Sequence, residues 1–398
     1  MSTIVDQITK DAGVDALVPF HVAFTGEEEI NAVAEVIRSG WLTMGPKTVE
    51  FERKFADYVG AKHAIAVSSC TAALHLALDA FGIKPGDEVL VPTNTFTATA
   101  EVVAYCGARP LLVDIDPVTL NMDPFDAARR ITSRTRAIIP VHYAGQPCEM
   151  SEIQALANDR HLHVLEDAAH SLPASYHGAP IGSIGEMTAF SFYATKTLSA
   201  GEGGMLTTDK DDYATRVRMM RLHGIARDAW KRYGAEGNWY YEVVEHGFKY
   251  NLTDIQSAIG IVQLGRCNNL RDIRARIAAE YSQAFCHSSC FEVPTVKAGR
   301  ESAHHLYPLR LNLEQLTIDR DVFVDRLKQK GIIASVHFIP LHLHPCYRER
   351  YGYKSGDFPR AEKEYQRYFS LPLFPGMTPV QVTRVIESVL SIARGAAR

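Results

Sequence analysis

The stretch SFYATKTLSAGEGG (residues 191–204) sets Lys196 just past an apolar run, between small residues, with Gly201, Gly203 and Gly204 close behind. A lysine is ordinarily a solvated surface residue. Held among small and apolar neighbours, its amine loses charge and becomes a nucleophile. Ser191 and Thr195 add hydroxyls beside it, and the glycines let backbone pass close to a ligand.

Two further stretches carry matching chemistry. SSCTAA (residues 68–73) follows the apolar run HAIAV and opens a helical pattern. Free amides and the helix dipole at such a start suit a phosphate, and Ser69 and Thr71 add hydroxyl donors. HVLEDAAHS (residues 163–171) ends an apolar run on Glu166 and Asp167, with His170 three residues beyond Asp167. Each piece alone has an ordinary reading: an N-cap hydroxyl, a capping carboxylate, a surface lysine. Together, a phosphate cradle, a carboxylate and a lysine are the parts a pyridoxal phosphate (PLP) site needs. The lysine holds the aldehyde as a Schiff base, and the aspartate keeps the ring nitrogen protonated. Phe96, in TNTFTATA, is placed to stack on the ring. No GxGxxG or GxxxxGK[ST] is present, so neither a dinucleotide nor a P-loop nucleotide is indicated.

Positioning these groups requires a sheet whose strand ends converge. Short apolar runs alternate with helical patterns over the first two-thirds of the chain: HAIAV, DEVLVP, PLLVDI, RAIIPV, HVLED, TAFSF and GMLTT. Several are apolar on consecutive positions, as in parallel strands buried on both faces. The expected class is α/β, with ligands at the carboxyl ends of the strands. A TIM barrel is the rival, but there are too few equal βα repeats for it. After Tyr250 the character changes. TDIQ reads as a capping box. One long helix is expected to run from it through LRDIRARIAAEYSQAF. PLRLNL and IIASVHF read as strands of a smaller α+β unit, and Thr378-Pro379 starts the last helix. The expected division is a large unit of residues 1–265 and a small C-terminal unit of residues 266–398.

The chain of 398 residues is 46% hydrophobic and 22% charged, with net charge −4. Its dispersed lysines and arginines argue against a nucleic-acid partner. No apolar run is long enough to span a membrane, and the first twenty residues lack the apolar core of a signal peptide. Seven scattered cysteines fit a reducing cytoplasm. His304, His305, His337, His342 and His344 cluster late in the chain, but no carboxylate or cysteine completes a metal-ligand set, so no metal is expected.

These segments, with SGWLTMGPKTVEFE, VPTNTFTATA, FKYNLTDIQSAIG, HHLYPLRL and SVHFIPLHLHP, follow one another as in the DegT/DnrJ/EryC1/StrS family of sugar aminotransferases, which the sequence resembles along nearly its whole length. The resemblance implies the fold-type I PLP architecture and a homodimer with active sites at the interface. It implies that Lys196 is the Schiff-base lysine and general base, and that Asp167 partners the ring nitrogen. Phe96 falls over the ring and His170 beside it. Cys70, Thr71 and Ser191 match phosphate-binding positions, Cys70 standing where many relatives have glycine. Asn251 matches a residue reaching the phosphate from the partner subunit. Thr43, His305, Tyr307 and His337 fall near the sugar-nucleotide pocket, and Trp41 either lines it or simply packs.

The implied reaction is ping-pong transfer of an amino group from L-glutamate to a nucleotide-linked keto-sugar, through pyridoxamine phosphate. Amination at C4 leads, with C3 open. A PLP-dependent sugar dehydratase and a non-catalytic PLP-binding regulator are the competing readings. Dehydratases of the family carry histidine where this chain has Lys196.

Overall fold

The computed structural model describes residues 17–226 and 240–398. The amino-terminal stretch read for a signal peptide lies, through residue 16, outside them. The apolar runs become β1 (His63–Val67), β2 (Glu88–Pro92), β3 (Arg109–Val113), β4 (Thr135–Ile138), β5 (His163–Asp167), β6 (Met187–Ser191) and β7 (Gly204–Thr208). They form one sheet in the order β1-β7-β6-β5-β4-β2-β3. Pairing is parallel throughout, except that β7 runs antiparallel to both β1 and β6. Six strands therefore point one way, and their carboxyl ends share one edge.

The consecutive apolar residues follow from burial on both faces: every residue of β2 and β7 is buried. Two apolar cores lie against the sheet. One gathers Ile65, Val89 and Leu165 with helix α3 (Cys70–Ala80); the other gathers Ala66, Leu90 and Val164 with helix α2 (Pro46–Val59). Successive strand residues thus serve opposite faces.

Beyond Tyr250, helix α5 (Asp254–Gly265) opens with the expected capping box: the Thr253 hydroxyl accepts from the Gln256 amide at 3.3 Å. The expected single long helix is corrected. It breaks at Arg266, whose guanidinium bonds Glu29 at 2.6 Å, and resumes as α6 (Cys267–Phe285). A second, antiparallel sheet consists of β8 (Phe291–Glu292), β9 (Tyr307–Leu311) and β10 (Tyr368–Leu371). Helices α6 and α7 (Pro379–Arg394) share its core with Phe285, Phe323 and Phe369.

IIASVHF is not a strand. It makes only isolated bridges, Ile332 with Val18 and Ser335 with Ser370. Side chains take the place of a ladder. The Tyr143 hydroxyl donates to the His337 carbonyl at 2.5 Å, and the Tyr368 hydroxyl donates to the Phe338 carbonyl at 2.6 Å. Ile332 alone of the run is buried, in the core with Phe285, Phe323 and Phe369, and the rest is half-buried.

Candidate active site

The shared sheet edge opens on a cavity of about 500 Å³. Its walls include Ser69, Cys70 and Thr71 after β1, Phe96 after β2, Asp167 and His170 after β5, and Ser191 and Lys196 after β6. His305 and His337, from the last third of the chain, also line it.

The phosphate cradle is built by α3. Ser69 is its N-cap, in extended conformation, and its hydroxyl accepts from the Ala72 amide at 3.0 Å. The amides of Cys70 and Thr71, first in the helix, have no intrahelical acceptor. Strand β7 starts hard against this turn: a Cβ on Gly204 would lie 2.5 Å from the Ser69 carbonyl carbon, so only glycine fits.

Asp167 is buried at the end of β5. Its Oδ2 accepts from the Thr99 hydroxyl at 2.8 Å and its Oδ1 from the Ala169 amide at 3.1 Å, with Cys70 Sγ 4.0 Å from Oδ1. Burial raises its pKa, against the pull of Thr99, Ala169 and Lys196. Glu166, one residue earlier, faces the other side of the sheet. It accepts from Gly185 and Thr188 and pairs with His142 at 2.9 Å, so it is structural.

Lys196 faces the cavity from a turn in which its amide donates to the Tyr193 carbonyl at 2.9 Å. Burial pushes its pKa down to about 8, and the nearby Cys70 and Asp167 only partly oppose this. A sizeable neutral fraction near pH 8 is what a nucleophile or general base needs.

Four histidines line the same cavity. The rings of His170 and His305 lie with centroids 4.4 Å apart at a 42° tilt, and burial holds both well below the ordinary histidine range. Burial also takes His21 and His337 to about 4. The Ala144 amide donates to His170 Nδ1 at 3.3 Å, which leaves the proton of the neutral ring on Nε2. Phe96 is 60% exposed, its ring centroid 6.0 Å from that of Phe338.

Thr43, Trp41 and Tyr307 do not line this cavity, and neither does Asn251, which was expected to serve the partner subunit's site. Thr43 is exposed and its carbonyl accepts from the Asp254 amide at 3.2 Å. Trp41 donates its indole N–H to the Met44 carbonyl at 3.1 Å. Asn251 makes a backbone bridge with Val67, and its side-chain amide donates to the Leu252 carbonyl. Tyr307 is displaced outright: its hydroxyl bonds Ser282 at 3.0 Å, and it lines a separate groove with Arg271 and His304. Conversely, sequence reasoning passed over His21, Thr99 and Phe338. Phe338 was visible beside His337 in SVHFIP. His21 and Thr99 carry no local signal and arrive through the fold.

The late histidines have other partners. His342 lies between the Thr93 hydroxyl at 2.7 Å and Glu362 at 3.0 Å. Among the described residues, no group of three His, Cys, Asp or Glu is arranged to hold a metal, and no helix is long and apolar enough to cross a membrane.

A lysine of lowered pKa, a buried carboxylate and a helix-start anion cradle around one cavity, on this sheet, define a fold-type I PLP-dependent transferase. Residues 24–390 match the DegT/DnrJ/EryC1/StrS aminotransferase family model, and the chain belongs to that family of PLP-dependent sugar aminotransferases. It is 48% identical to the spore coat polysaccharide biosynthesis protein SpsC of Bacillus subtilis, over 95% of this chain and 97% of that one. An uncharacterised protein of Methanocaldococcus jannaschii is 52% identical over 92% of this chain and 95% of its own length. Among solved structures, Spr1654 of Streptococcus pneumoniae, described as a sugar aminotransferase and known in PLP and PMP forms, superposes with a TM-score of 0.89 at 31% identity, covering 95% of this chain and at least 98% of that one. DesV of S. venezuelae superposes with a TM-score of 0.85 at 34% identity, covering 92% of this chain and 94% of that one.

Proposed function

We propose that the protein transfers an amino group from L-glutamate to a nucleotide-linked keto-sugar, at C4 of a 4-keto or 4-keto-6-deoxy sugar. The observation that carries the reading is that Lys196, Asp167 and the α3 amides line one cavity. SpsC serves polysaccharide biosynthesis by its name, which supports a sugar substrate for this chain.

Bound PLP supplies an electron sink conjugated to the carbon that gains or loses the amino group. The residues divide the remaining work. Ser69, Thr71, Ser191 and the amides of Cys70 and Thr71 hold the phosphate. Asp167 carries the charge that partners the ring nitrogen. Neutral Lys196 Nζ would take the proton from the donor Cα and, once protonated, would give it up on the same face, so that one amine serves as base and then as acid. Phe96 and Phe338 keep water from the reacting atoms. His170 Nε2–H points a donor at the ring edge, and His305 and His337, kept neutral, offer hydrogen bonds to sugar hydroxyls without drawing an anion.

Among the described residues no arginine lines the cavity, so the carboxylates of glutamate are met by polar neutral groups here or by the second subunit. We place the second copy of a homodimer against the cavity mouth, where Asn251 and Thr43 serve the partner's site. The unit boundary is placed at residues 265/266, where the helix breaks. A cytoplasmic location accords with seven unpaired cysteines.

The test is incubation of the PLP-loaded protein with L-glutamate and UDP-, dTDP- and GDP-linked keto-sugars, with product structures read by NMR. An amino group at C4 supports the proposal. Amination at C3 redirects it, and a deoxygenated or unchanged sugar overturns it.

A further inference from the structure

Asp167 is held by a chain of hydroxyls. Thr99 Oγ1 lies 2.8 Å from Asp167 Oδ2, and Thr95 Oγ1 lies 2.8 Å from Thr99 Oγ1. All three side chains are buried. An ionised carboxylate can only accept, so the single Thr99 proton points at Asp167. The Thr95 hydroxyl must then be the donor to Thr99. The relay has one direction, from Thr95 through Thr99 to the carboxylate, and exists in that form only while Asp167 is charged.

We propose that Thr99, oriented by Thr95, is the positioning residue that keeps Asp167 ionised in the loaded enzyme and so keeps the proton on the ring nitrogen of the cofactor. The inference rests on the reading that Asp167 faces that nitrogen.

The physical argument is a competition. Taking a carboxylate out of water favours its neutral form, and hydrogen bonds to the charged form oppose this. Bonds to an ionised acceptor are roughly twice as strong as neutral ones. Of the two hydrogen bonds from nitrogen or oxygen donors, the one from Thr99 is the shorter, the Ala169 amide lying at 3.1 Å. Burial raises the Asp167 pKa and Thr99 is the largest influence lowering it. Without the hydroxyl, the proton shared between ring nitrogen and Asp167 moves to the carboxylate, and the charged pair becomes a neutral one. No atom is gained or lost. The ring then carries less positive charge, and the imine at Lys196 becomes more basic.

The experiment is a pH titration of the imine absorbance of PLP-loaded wild type, Thr99→Val, Thr99→Ser, Thr95→Val and Asp167→Asn. Thr99→Val keeps the shape and removes the donor. It is expected to raise the imine pKa by about one unit, with Thr99→Ser restoring the wild-type value. Thr95→Val should shift it the same way by less, and stands in if Thr99→Val fails to bind cofactor. Wild-type titration in both valine variants overturns the role of Thr99. If Asp167→Asn also titrates as wild type, the assignment of Asp167 to the ring nitrogen is what fails, and the role of Thr99 falls with it.

Discussion

Glu166 and His142 form an ion-pair geometry at 2.9 Å with both side chains wholly buried, one residue before the carboxylate that faces the cavity. The Cys148 amide donates to His142 Nδ1 at 3.0 Å, so the other ring nitrogen carries the proton that goes to Glu166. Two adjacent acids therefore do different work, one on each face of β5.

That division predicts opposite phenotypes. Glu166→Ala leaves His142, Gly185 and Thr188 without their acceptor and should cost about 1–3 kcal/mol for each buried donor orphaned. Asp167→Ala orphans Thr99 and Ala169 but removes a buried carboxylate, so it should change the unfolding free energy by no more than about 1 kcal/mol, while abolishing transamination. Equilibrium unfolding and single-turnover assays on both variants check this.

Lys196 makes stability depend on pH in the cofactor-free protein. Its folded pKa is about 8, below the unfolded value of 10.5. Below pH 8 both states hold the proton, and the burial cost is present in full. Between about pH 8 and 10.5 the unfolded chain binds more protons, so the contribution to stability rises with pH. Lys196→Met should remove that rise and stabilise the apo protein at pH 7, by on the order of 1–3 kcal/mol. Denaturant midpoints across this window give the answer, and a less stable methionine variant would contradict the burial argument.

Asp254 ties two regions together. Its carboxylate accepts the amides of Gly45, Lys47 and Thr48 at 2.8–3.0 Å and the Thr48 hydroxyl at 2.7 Å, so a residue at the start of α5 caps α2. Asp254→Ala should cost about 2–4 kcal/mol through the orphaned amides. Asp254→Asn, which keeps acceptor oxygen, should cost less. Thermal unfolding distinguishes the two.

His337 is held by Ser370 at 3.0 Å and stacks on Phe20, with centroids 5.3 Å apart. As a sugar contact, its replacement by alanine should raise KM for the keto-sugar about tenfold. The half-reaction with glutamate, followed alone by absorbance, should be unchanged. Equal losses in both halves would place His337 in cofactor binding instead.

The strand pattern was readable because parallel strands buried on both faces leave continuous apolar runs, and β1, β5 and β7 keep the bounds read from HAIAV, HVLED and GMLTT. Asp167 ends such a run and Lys196 lies five residues past another, which made their meeting at one cavity legible. Thr99 was not, because its contact with Asp167 joins the helix that follows β2 to the end of β5, which no local spacing reports. His21 reaches the site through a bond to the Ala194 carbonyl at 3.0 Å, again with no signal in its own neighbourhood. IIASVHF misled because a short apolar run was taken for sheet pairing, whereas Tyr143 and Tyr368 supply the bonds. The break at Arg266 had a local signal, Gly265 just before it, which the apolar and charged pattern on either side overrode. A tertiary contact to Glu29 draws the residue out of line.

The central claim is that Lys196 is the amine that binds the cofactor aldehyde and serves the transfer. The measurement is the absorbance spectrum of PLP-loaded wild type and Lys196→Ala, before and after L-glutamate. Wild type should show a Schiff-base band near ~420 nm that glutamate moves towards ~330 nm, and the alanine variant should lack the lysine-linked band. A wild-type spectrum without that band, or the same band and the same response in Lys196→Ala, would contradict the account.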